Sequence, residues 1–223
     1  MSDQSAKLEW RDEKIPVSTH FDDPYFSLDH GLNETRHVFL SGNNLPARFT
    51  PGFHIAELGF GTGLNFLAAW RAWEASGQTT PLKFTSFEAF PMEAEDMARA
   101  LTSFPEVGAF AERLCAAWAQ DKTLATLKGV EAKVILGDAR QTLPRESWQA
   151  DAWFLDGFSP AKNPELWDEK LMAEVGRHTT AGGTAATYTA AGFVRRNLQA
   201  AGFDVTRLSG FGRKRHMTTA LKT

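Results

Sequence analysis

The stretch ELGFGTGLN at residues 57–65 decides the fold. An apolar run of strand length precedes it at residues 53–58, and a segment with helical spacing follows from Leu64 to Glu74. Three alternate glycines make the turn, namely Gly59, Gly61 and Gly63. Glycine lets the backbone turn sharply and lets a ligand lie against bare main chain. The spacing is G-x-G-x-G and differs from the G-x-G-x-x-G that suits a pyrophosphate, so the motif favours a nucleoside without phosphates.

Strands and helices alternate on the C-terminal side of this motif. We predict strands at residues 82–87, 133–136, 152–155, 184–188, 203–208 and 216–221. Helices are predicted at residues 91–101, 107–118, 165–177 and 192–201, with Pro91 in the first turn of the first one. This alternation is typical of a mostly parallel sheet with helices on both faces. The last two strands leave no room for a crossover helix, which predicts an antiparallel hairpin at one edge.

The N-terminal quarter of the chain has a different character. Turn signals at Asp23-Pro24, residues 42–44 and Pro51-Gly52 break it into short pieces, which predicts an irregular or β-rich segment. An aromatic cluster of Phe21, Tyr25 and Phe26 lies within it. We therefore divide the chain into an N-terminal extension at residues 1–52, which contributes to the substrate pocket, and an α/β domain at residues 53–223.

Composition excludes several classes of protein. The chain has 223 residues, 43% of them hydrophobic and 23% charged, which is a globular profile for one domain with a small lobe. The net charge of −3 argues against a general nucleic-acid coat protein but leaves room for a local basic patch. Cys115 is the single cysteine, and the six histidines form no close-spaced ligand pair, so we expect neither a disulfide nor a metal site. Without an apolar run of membrane-spanning length or a signal peptide, a cytoplasmic location is expected.

Acidic residues stand at the ends of the first four predicted strands of the α/β domain. They are Glu57, Glu88, Asp138 and Asp156. Ligands of open α/β sheets bind outside the carboxyl ends of the strands, so these side chains are expected to share one rim. An acid after the second strand can accept hydrogen bonds from the ribose hydroxyls of a nucleoside, and an acid after the third strand can accept one from the adenine amine. The negative rim tolerates a cationic ligand such as a sulfonium and repels phosphates.

The loop after the fourth strand is DGFSPAKNPELW at residues 156–167, and its two prolines make it rigid. This string resembles the methyltransferase domain of the MnmC family, within the class I S-adenosylmethionine-dependent methyltransferases. Four further strings support the resemblance, which extends from Phe21 to Leu221: SFEAFP at 86–91, FDDPYFS at 21–27, RHVFL at 36–40 and GFGRKRHM at 210–217.

The resemblance implies a Rossmann-like class I methyltransferase sheet with an antiparallel last strand and S-adenosyl-L-methionine as cofactor. It implies tRNA as partner and methylation of the aminomethyl nitrogen of 5-aminomethyl-(2-thio)uridine at the wobble position, which gives 5-methylaminomethyl-2-thiouridine. A flavin-dependent oxidase, separate or fused, is the expected source of the amine. The predicted cofactor-binding residues are Glu57, Gly59, Gly61, Gly63, Asn65, Glu88, Asp138, Ala139 and Asp156.

Asp156 is the predicted catalytic residue, because the loop after the fourth strand faces the methyl group in this fold. A carboxylate there can accept an N–H and orient the nitrogen lone pair. An anion beside an amine also favours the protonated amine, which is not nucleophilic, so positioning is a better supported role than base catalysis. The alternative is that Asp156 only caps a helix.

Aromatic and basic residues complete the predicted acceptor site. Tyr25, Phe26 and Phe158 are expected to flank an extruded base, with core packing as the alternative for the two phenylalanines. Lys162 and the basic turn of Arg213, Lys214 and Arg215 are expected to bind tRNA phosphates, with a solvated hairpin turn as the alternative.

Other functions remain open from the sequence alone. The protein could be an N-methyltransferase that acts on a small amine, and the basic turn would then have no role in substrate binding. A non-catalytic nucleoside-binding module would need neither the intact glycines nor Asp156. A nicotinamide dehydrogenase is disfavoured by the glycine spacing.

Overall fold

The computed structural model describes residues 5–27, 30–124 and 126–223. The strands are β1 (Leu8–Arg11), β2 (Ile15–Ser18), β3 (Asp23–Pro24), β4 (His54–Leu58), β5 (Leu82–Glu88), β6 (Thr126–Leu127), β7 (Val130–Leu136), β8 (Ala150–Leu155), β9 (Thr179–Thr187), β10 (Phe203–Ser209) and β11 (His216–Lys222). The α-helices are α1 (Gly31–Thr35), α2 (Leu64–Ala75), α3 (Ala94–Leu101), α4 (Gly108–Gln120), α5 (Ala139–Thr142), α6 (Glu169–Arg177) and α7 (Gly192–Ala200).

A mixed sheet forms the centre of the molecule, with strand order β10-β11-β9-β8-β4-β5-β7-β6. The strands β9, β8, β4, β5 and β7 are paired in parallel. The last strand, β11, is antiparallel to both of its neighbours. The predicted fold class is therefore confirmed, including the reversed last strand and the edge hairpin. The two-residue strand β6, antiparallel to β7, was not predicted.

The strand order fixes where a ligand can bind. The chain leaves β4 toward β5 on one side and returns to β8 on the other, so β4 and β8 flank the switch point of the sheet. A crevice opens outside the carboxyl ends of strands at such a point. Apolar side chains cover both faces of the sheet and hold it rigid, with Trp70 at 0% and Trp73 at 1% exposure, as predicted.

The N-terminal extension is partly helical, which corrects the sequence interpretation. β1, β2 and β3 form a small antiparallel sheet, as a β-rich segment requires. Residues 31–43, however, form α1, a π-helical turn at Arg36–Leu40 and a 3-10 turn at Ser41–Asn43. Buried residues recur there at helical spacing, for example Leu32, Thr35 and Phe39, but glycine and asparagine turn signals masked that period.

Three element boundaries also differ from the prediction. Helix α3 begins at Ala94 and not near Pro91, because the carbonyl groups of Pro91 and Met92 accept bonds from Ala6 and Trp118. Helix α6 begins after Asp168, whose carboxylate accepts from the Leu171 N–H, and a 3-10 turn at Pro164–Trp167 precedes it. Strand β9 begins at Thr179 and runs through Gly182 and Gly183, whereas the predicted strand begins at residue 184.

No helix in these described segments is both long and apolar enough to cross a lipid bilayer.

Candidate functional site

A cavity of about 900 Å³ opens at the carboxyl ends of β4, β5, β7 and β8. The glycine loop and the residues that follow these strands form one side. The N-terminal extension, α1 and the turn between β10 and β11 form the other side. Of the predicted site residues, the cavity wall contains Gly59, Gly61, Asn65, Glu88, Asp138, Ala139, Asp156, Tyr25, Phe26, Phe158, Arg213 and Lys214.

The glycine loop needs glycine at the positions that face the cavity. Gly59 has φ 87° and Gly61 has φ 54°, both in the left-handed region that side chains disfavour. A Cβ atom on Gly59 would lie 2.9 Å from the Asp156 carbonyl oxygen, and one on Gly61 would lie 3.2 Å from the Tyr25 ring. Gly63 differs, because it lies behind the loop and faces Leu114. Glycine therefore lets the loop after β8 and the Tyr25 ring approach closely, and the bare backbone of Gly59 and Gly61 lines the cavity.

Glu88 fastens this loop at the end of β5. Its two carboxylate oxygens accept hydrogen bonds from the backbone N–H groups of Gly61 and Phe90, each at 2.8 Å. Burial raises the pKa of Glu88, and these backbone N–H groups act in the opposite direction. Each oxygen keeps a further lone pair, so Glu88 can also accept from hydroxyl groups of a ligand in the cavity.

Asp138 follows β7 and begins α5. Its side chain accepts from the Arg140 backbone N–H at 2.9 Å and forms an ion pair with the Arg140 guanidinium at 2.7 Å. The hydrogen bond from Arg140 lowers the pKa of Asp138. Arg140 also lines the cavity and was missed in the sequence, where nothing distinguishes it from a surface arginine.

Asn65 connects two carboxylates beneath the loop. Its amide nitrogen lies 2.7 Å from Asp156 Oδ2 and 3.0 Å from Glu57 Oε1, and its carbonyl oxygen accepts from Thr35 Oγ1 at 2.8 Å. Every polar group of Asn65 is therefore used, which fixes its orientation.

Glu57 lies below the cavity and not on its rim, which corrects the expectation of four acids in one row. The side chain is fully buried, and Ser86 Oγ donates to its Oε2 at 2.7 Å. Burial raises the pKa of Glu57 well above its ordinary value. Glu57 pairs in register with Ser86, two residues before Glu88 on β5, and with Phe154, two residues before Asp156, so it sits two residues deeper in the sheet.

Asp156 reaches the cavity directly after β8. Its Oδ1 accepts from the Gly157 backbone N–H at 2.9 Å, and its Oδ2 accepts from Asn65. Burial raises the pKa of Asp156 to about 6, although Asn65, Gly157 and the charge of Lys214 act against burial. The first helical turn after it begins only at Pro164, so the helix-cap alternative is wrong.

Aromatic rings line the side of the cavity next to this carboxylate. The rings of Phe21 and Phe158 are stacked with centroids 4.7 Å apart, and Tyr25 meets Phe158 edge-on at 5.1 Å. Phe90 joins them at 5.7 Å from Phe21. Phe26 is different, because its ring packs at 5.0 Å against Phe104. Phe21 and Phe90 were not predicted as site residues, although both lie in the quoted strings FDDPYFS and SFEAFP.

The predicted basic residues separate into three groups. Lys162 holds the N-terminal extension, with its ammonium 2.9 Å from the Asp22 carboxylate, and lies off the cavity wall. Lys214 turns inward: its Nζ lies 2.7 Å from Glu34 Oε1 and 4.2 Å from the centroid of the Tyr188 ring. Arg213 stands at the cavity mouth and Arg215 outside it. Lys214, which was predicted to bind tRNA phosphates, is therefore already paired with a carboxylate.

Charge in the cavity favours a cation. The wall contains six carboxylates and three permanent cations, the former being Asp23, Glu34, Glu88, Asp138, Asp156 and Glu165 and the latter Arg140, Arg213 and Lys214. Such a wall attracts a cationic ligand. Among residues 5–27, 30–124 and 126–223, no three His, Cys, Asp or Glu side chains converge as metal ligands.

Comparison with known proteins agrees with this geometry. Residues 105–223 match the model of a family described as S-adenosyl-L-methionine-dependent methyltransferase. MnmC2 from Aquifex aeolicus is 27% identical over 98% of this chain and 71% of that one, with a TM-score of 0.74. Precorrin-6y C5,15-methyltransferase from Geobacter metallireducens GS-15 is 12% identical over 96% of this chain and 98% of that one, with a TM-score of 0.50, a likeness of fold alone.

Proposed function

Since the chain belongs to the S-adenosyl-L-methionine-dependent methyltransferase family, we propose that it methylates the aminomethyl nitrogen of 5-aminomethyl-(2-thio)uridine at the wobble position of tRNA. The similarity to MnmC2 from Aquifex aeolicus confirms the sequence resemblance to the methyltransferase domain of MnmC. That resemblance implies this acceptor and a cytoplasmic reaction. A flavin-dependent oxidase, as a separate or fused partner, stays a prediction.

The described residues fit the cofactor. Gly59 and Gly61 leave the backbone bare, Glu88 has lone pairs for ribose hydroxyls, and Asp138 with Ala139 forms the wall expected for adenine. The excess of carboxylates suits a sulfonium. S-adenosyl-L-methionine supplies an electrophilic methyl group, so that the acceptor nitrogen forms an N–C bond as the C–S bond breaks, after which the nitrogen loses a proton.

The position of Asp156 is the observation that supports this function best. Its carboxylate is anchored on both oxygens and stands where the glycine loop meets the aromatic wall. The remaining lone pairs can accept an N–H of an amine, which aims the nitrogen lone pair. The rings of Phe21 and Phe158 present an aromatic surface to a base extruded from a tRNA loop.

Methyl transfer from labelled S-adenosyl-L-methionine tests the acceptor class. We expect label in tRNA whose wobble uridine carries the aminomethyl group and none in free polyamines. Fully modified tRNA, whose amine is already methylated, is the matched control. Transfer to polyamines with none to tRNA would support the small-amine alternative instead.

Removing the Glu88 side chain is expected to weaken cofactor binding. A lost hydrogen bond to a charged acceptor costs about 1.5–3 kcal/mol, so calorimetry of Glu88→Ala should show about a tenfold to hundredfold weaker affinity. Glu93→Ala, which removes an exposed acid on the same segment, is the control. Equal affinity in the two variants would remove Glu88 from the site.

Arg213 and Arg215 are expected to contact tRNA phosphates, because they remain unburied beside the cavity mouth. The double variant Arg213→Ala with Arg215→Ala should raise the KM for tRNA and lower the log–log salt slope by up to about 2 units. Affinity for S-adenosyl-L-methionine should not change. The control removes two exposed lysines, Lys83 and Lys128, at the opposite ends of the strands. An equal salt slope in both double variants would show that this turn is merely solvated.

A further inference from the structure

An ion pair closes one side of the acceptor cavity. Glu34 on α1 and Lys214 on the β10–β11 turn meet at 2.7 Å, with the ammonium above the Tyr188 ring. The Glu34 side chain is 11% exposed and the Lys214 side chain 45%. The turn has its own backbone closure, since the Gly210 N–H donates to Arg215 O at 3.1 Å and the Lys214 N–H donates to Phe211 O at 3.0 Å. The turn therefore does not need the ion pair for its shape. The pair places one positive and one negative charge on the cavity wall.

The acceptor presents an electrostatic difficulty to this cavity. An alkylamine has a pKa near that of lysine, about 10.4, so it is mostly protonated at neutral pH and has no free lone pair. Asp156 would hold the amine, but a carboxylate favours the protonated form. The other cavity carboxylates act in the same direction. Burial and the cofactor's sulfonium oppose them, and a cation of the protein near the amine adds to that effect.

We propose that the Lys214 ammonium disfavours the protonated form of the bound acceptor amine, and that Glu34 moderates this effect. This inference rests on the proposed function, in which the acceptor is an amine. Lys214 is then a positioning residue that acts through charge. Its role differs from the phosphate contact expected from the basic turn.

The charges on the wall support this assignment. Lys214 lowers the pKa of Asp156 and Glu34 raises it, so both members of the pair act at the place where Asp156 would hold the amine. Asp23 lines the same cavity from the N-terminal extension, and Tyr188, directly after β9, presents its ring to the Lys214 ammonium. On the turn side lie Arg213 and His37, whose ring packs 5.8 Å from that of Phe211. Of these groups, Lys214 is the ammonium that a carboxylate partner and an aromatic face hold in place.

Two single variants and their combination test the proposal through the pH dependence of kcat, which reports groups in the substrate complex. Lys214→Met keeps the length of the side chain. The pH midpoint of its kcat should rise by about one unit, so at any pH lower than both midpoints the kcat of the variant is about tenfold below that of the wild type. Glu34→Gln should move the midpoint down, because the Lys214 charge is no longer balanced. The double variant should return close to the wild-type midpoint.

Controls separate this effect from a structural one. Lys122→Met breaks another ion pair, between Lys122 and Glu93 at 2.6 Å, on residues outside the cavity wall, and should leave the midpoint unchanged. Calorimetry should show the same affinity for S-adenosyl-L-methionine in every variant. Thermal unfolding should show that each variant is folded.

Opposite shifts in the two single variants are the expected result. If both midpoints stay at the wild-type value, or both move in the same direction, the proposal is overturned and the pair only holds the turn. If the wild type transfers no methyl group to tRNA, the proposed function is overturned and this inference with it. An active wild type with unmoved midpoints overturns this inference alone.

Discussion

Replacing Asp156 with alanine is expected to lower kcat for methyl transfer by about a hundredfold or more, with a much smaller loss of cofactor affinity. The carboxylate is anchored by Asn65 and Gly157, so its free lone pairs have a fixed direction toward the cavity. Without it, the amine loses the acceptor that aligns its lone pair. Single-turnover kinetics with tRNA, together with calorimetry of the cofactor, measure the two effects separately.

The matched control is Asp168→Ala. Asp168, like Asp156, accepts a hydrogen bond from a backbone N–H, but it caps α6. Its removal should cost about 1 kcal/mol of stability and leave kcat nearly unchanged. If Asp156→Ala keeps activity within about threefold, roughly 0.7 kcal/mol in the barrier, Asp156 has a structural role like that of Asp168.

The pH profile offers a second signature of the same residue. Burial raises the pKa of Asp156 to about 6, so the carboxylate becomes protonated as the pH falls through that value. Only the ionised carboxylate carries no proton and can accept a hydrogen bond on every lone pair. Because kcat already falls below the midpoint of the amine, we expect wild-type kcat to fall more steeply on the acidic side of pH 6 and the residual activity of Asp156→Ala to lack this steeper limb.

Gly61→Val is expected to reduce affinity for S-adenosyl-L-methionine by about a hundredfold or more, which corresponds to about 2.7 kcal/mol. Gly61 has φ 54°, and its N–H donates to Glu88. A branched side chain is strained in that conformation and would project toward Tyr25, into the space between the loop and the aromatic wall. Calorimetry measures the loss directly.

Gly77→Val is the control for backbone strain. Gly77 has φ 73°, and a Cβ there would meet nothing within 4 Å. This variant should lose stability as Gly61→Val does but bind the cofactor normally. Equal binding by both variants would show that the loop does not cradle the ligand.

Local signals made much of the α/β domain predictable. The alternation of apolar runs and helical spacing fixed the parallel sheet, and the acids at the ends of β5, β7 and β8 do line the cavity. The depth of Glu57 was not predictable, since it depends on the register that pairs it with Ser86 and Phe154, two residues below the acids at the rim. Helix α1 was missed because turn residues interrupt its pattern.

Contacts between distant parts of the chain could not be predicted from the sequence. Glu34 and Lys214 are far apart along the chain and meet only because the order of the strands brings the last turn over α1. The basic turn of Arg213, Lys214 and Arg215 looks like one surface in the sequence, yet a turn points neighbouring side chains in different directions. Lys214 therefore faces the cavity while Arg215 faces away from it.

Mass spectrometry of tRNA nucleosides tests the central claim most directly. Wobble-aminomethylated tRNA is incubated with the protein and S-adenosyl-L-methionine, digested, and compared with a reaction that contains Asp156→Ala. We expect the wild type to convert 5-aminomethyl-2-thiouridine to 5-methylaminomethyl-2-thiouridine, one methyl group heavier, and the variant to convert little. A wobble nucleoside of unchanged mass, or a methyl group on any other nucleoside, would contradict it.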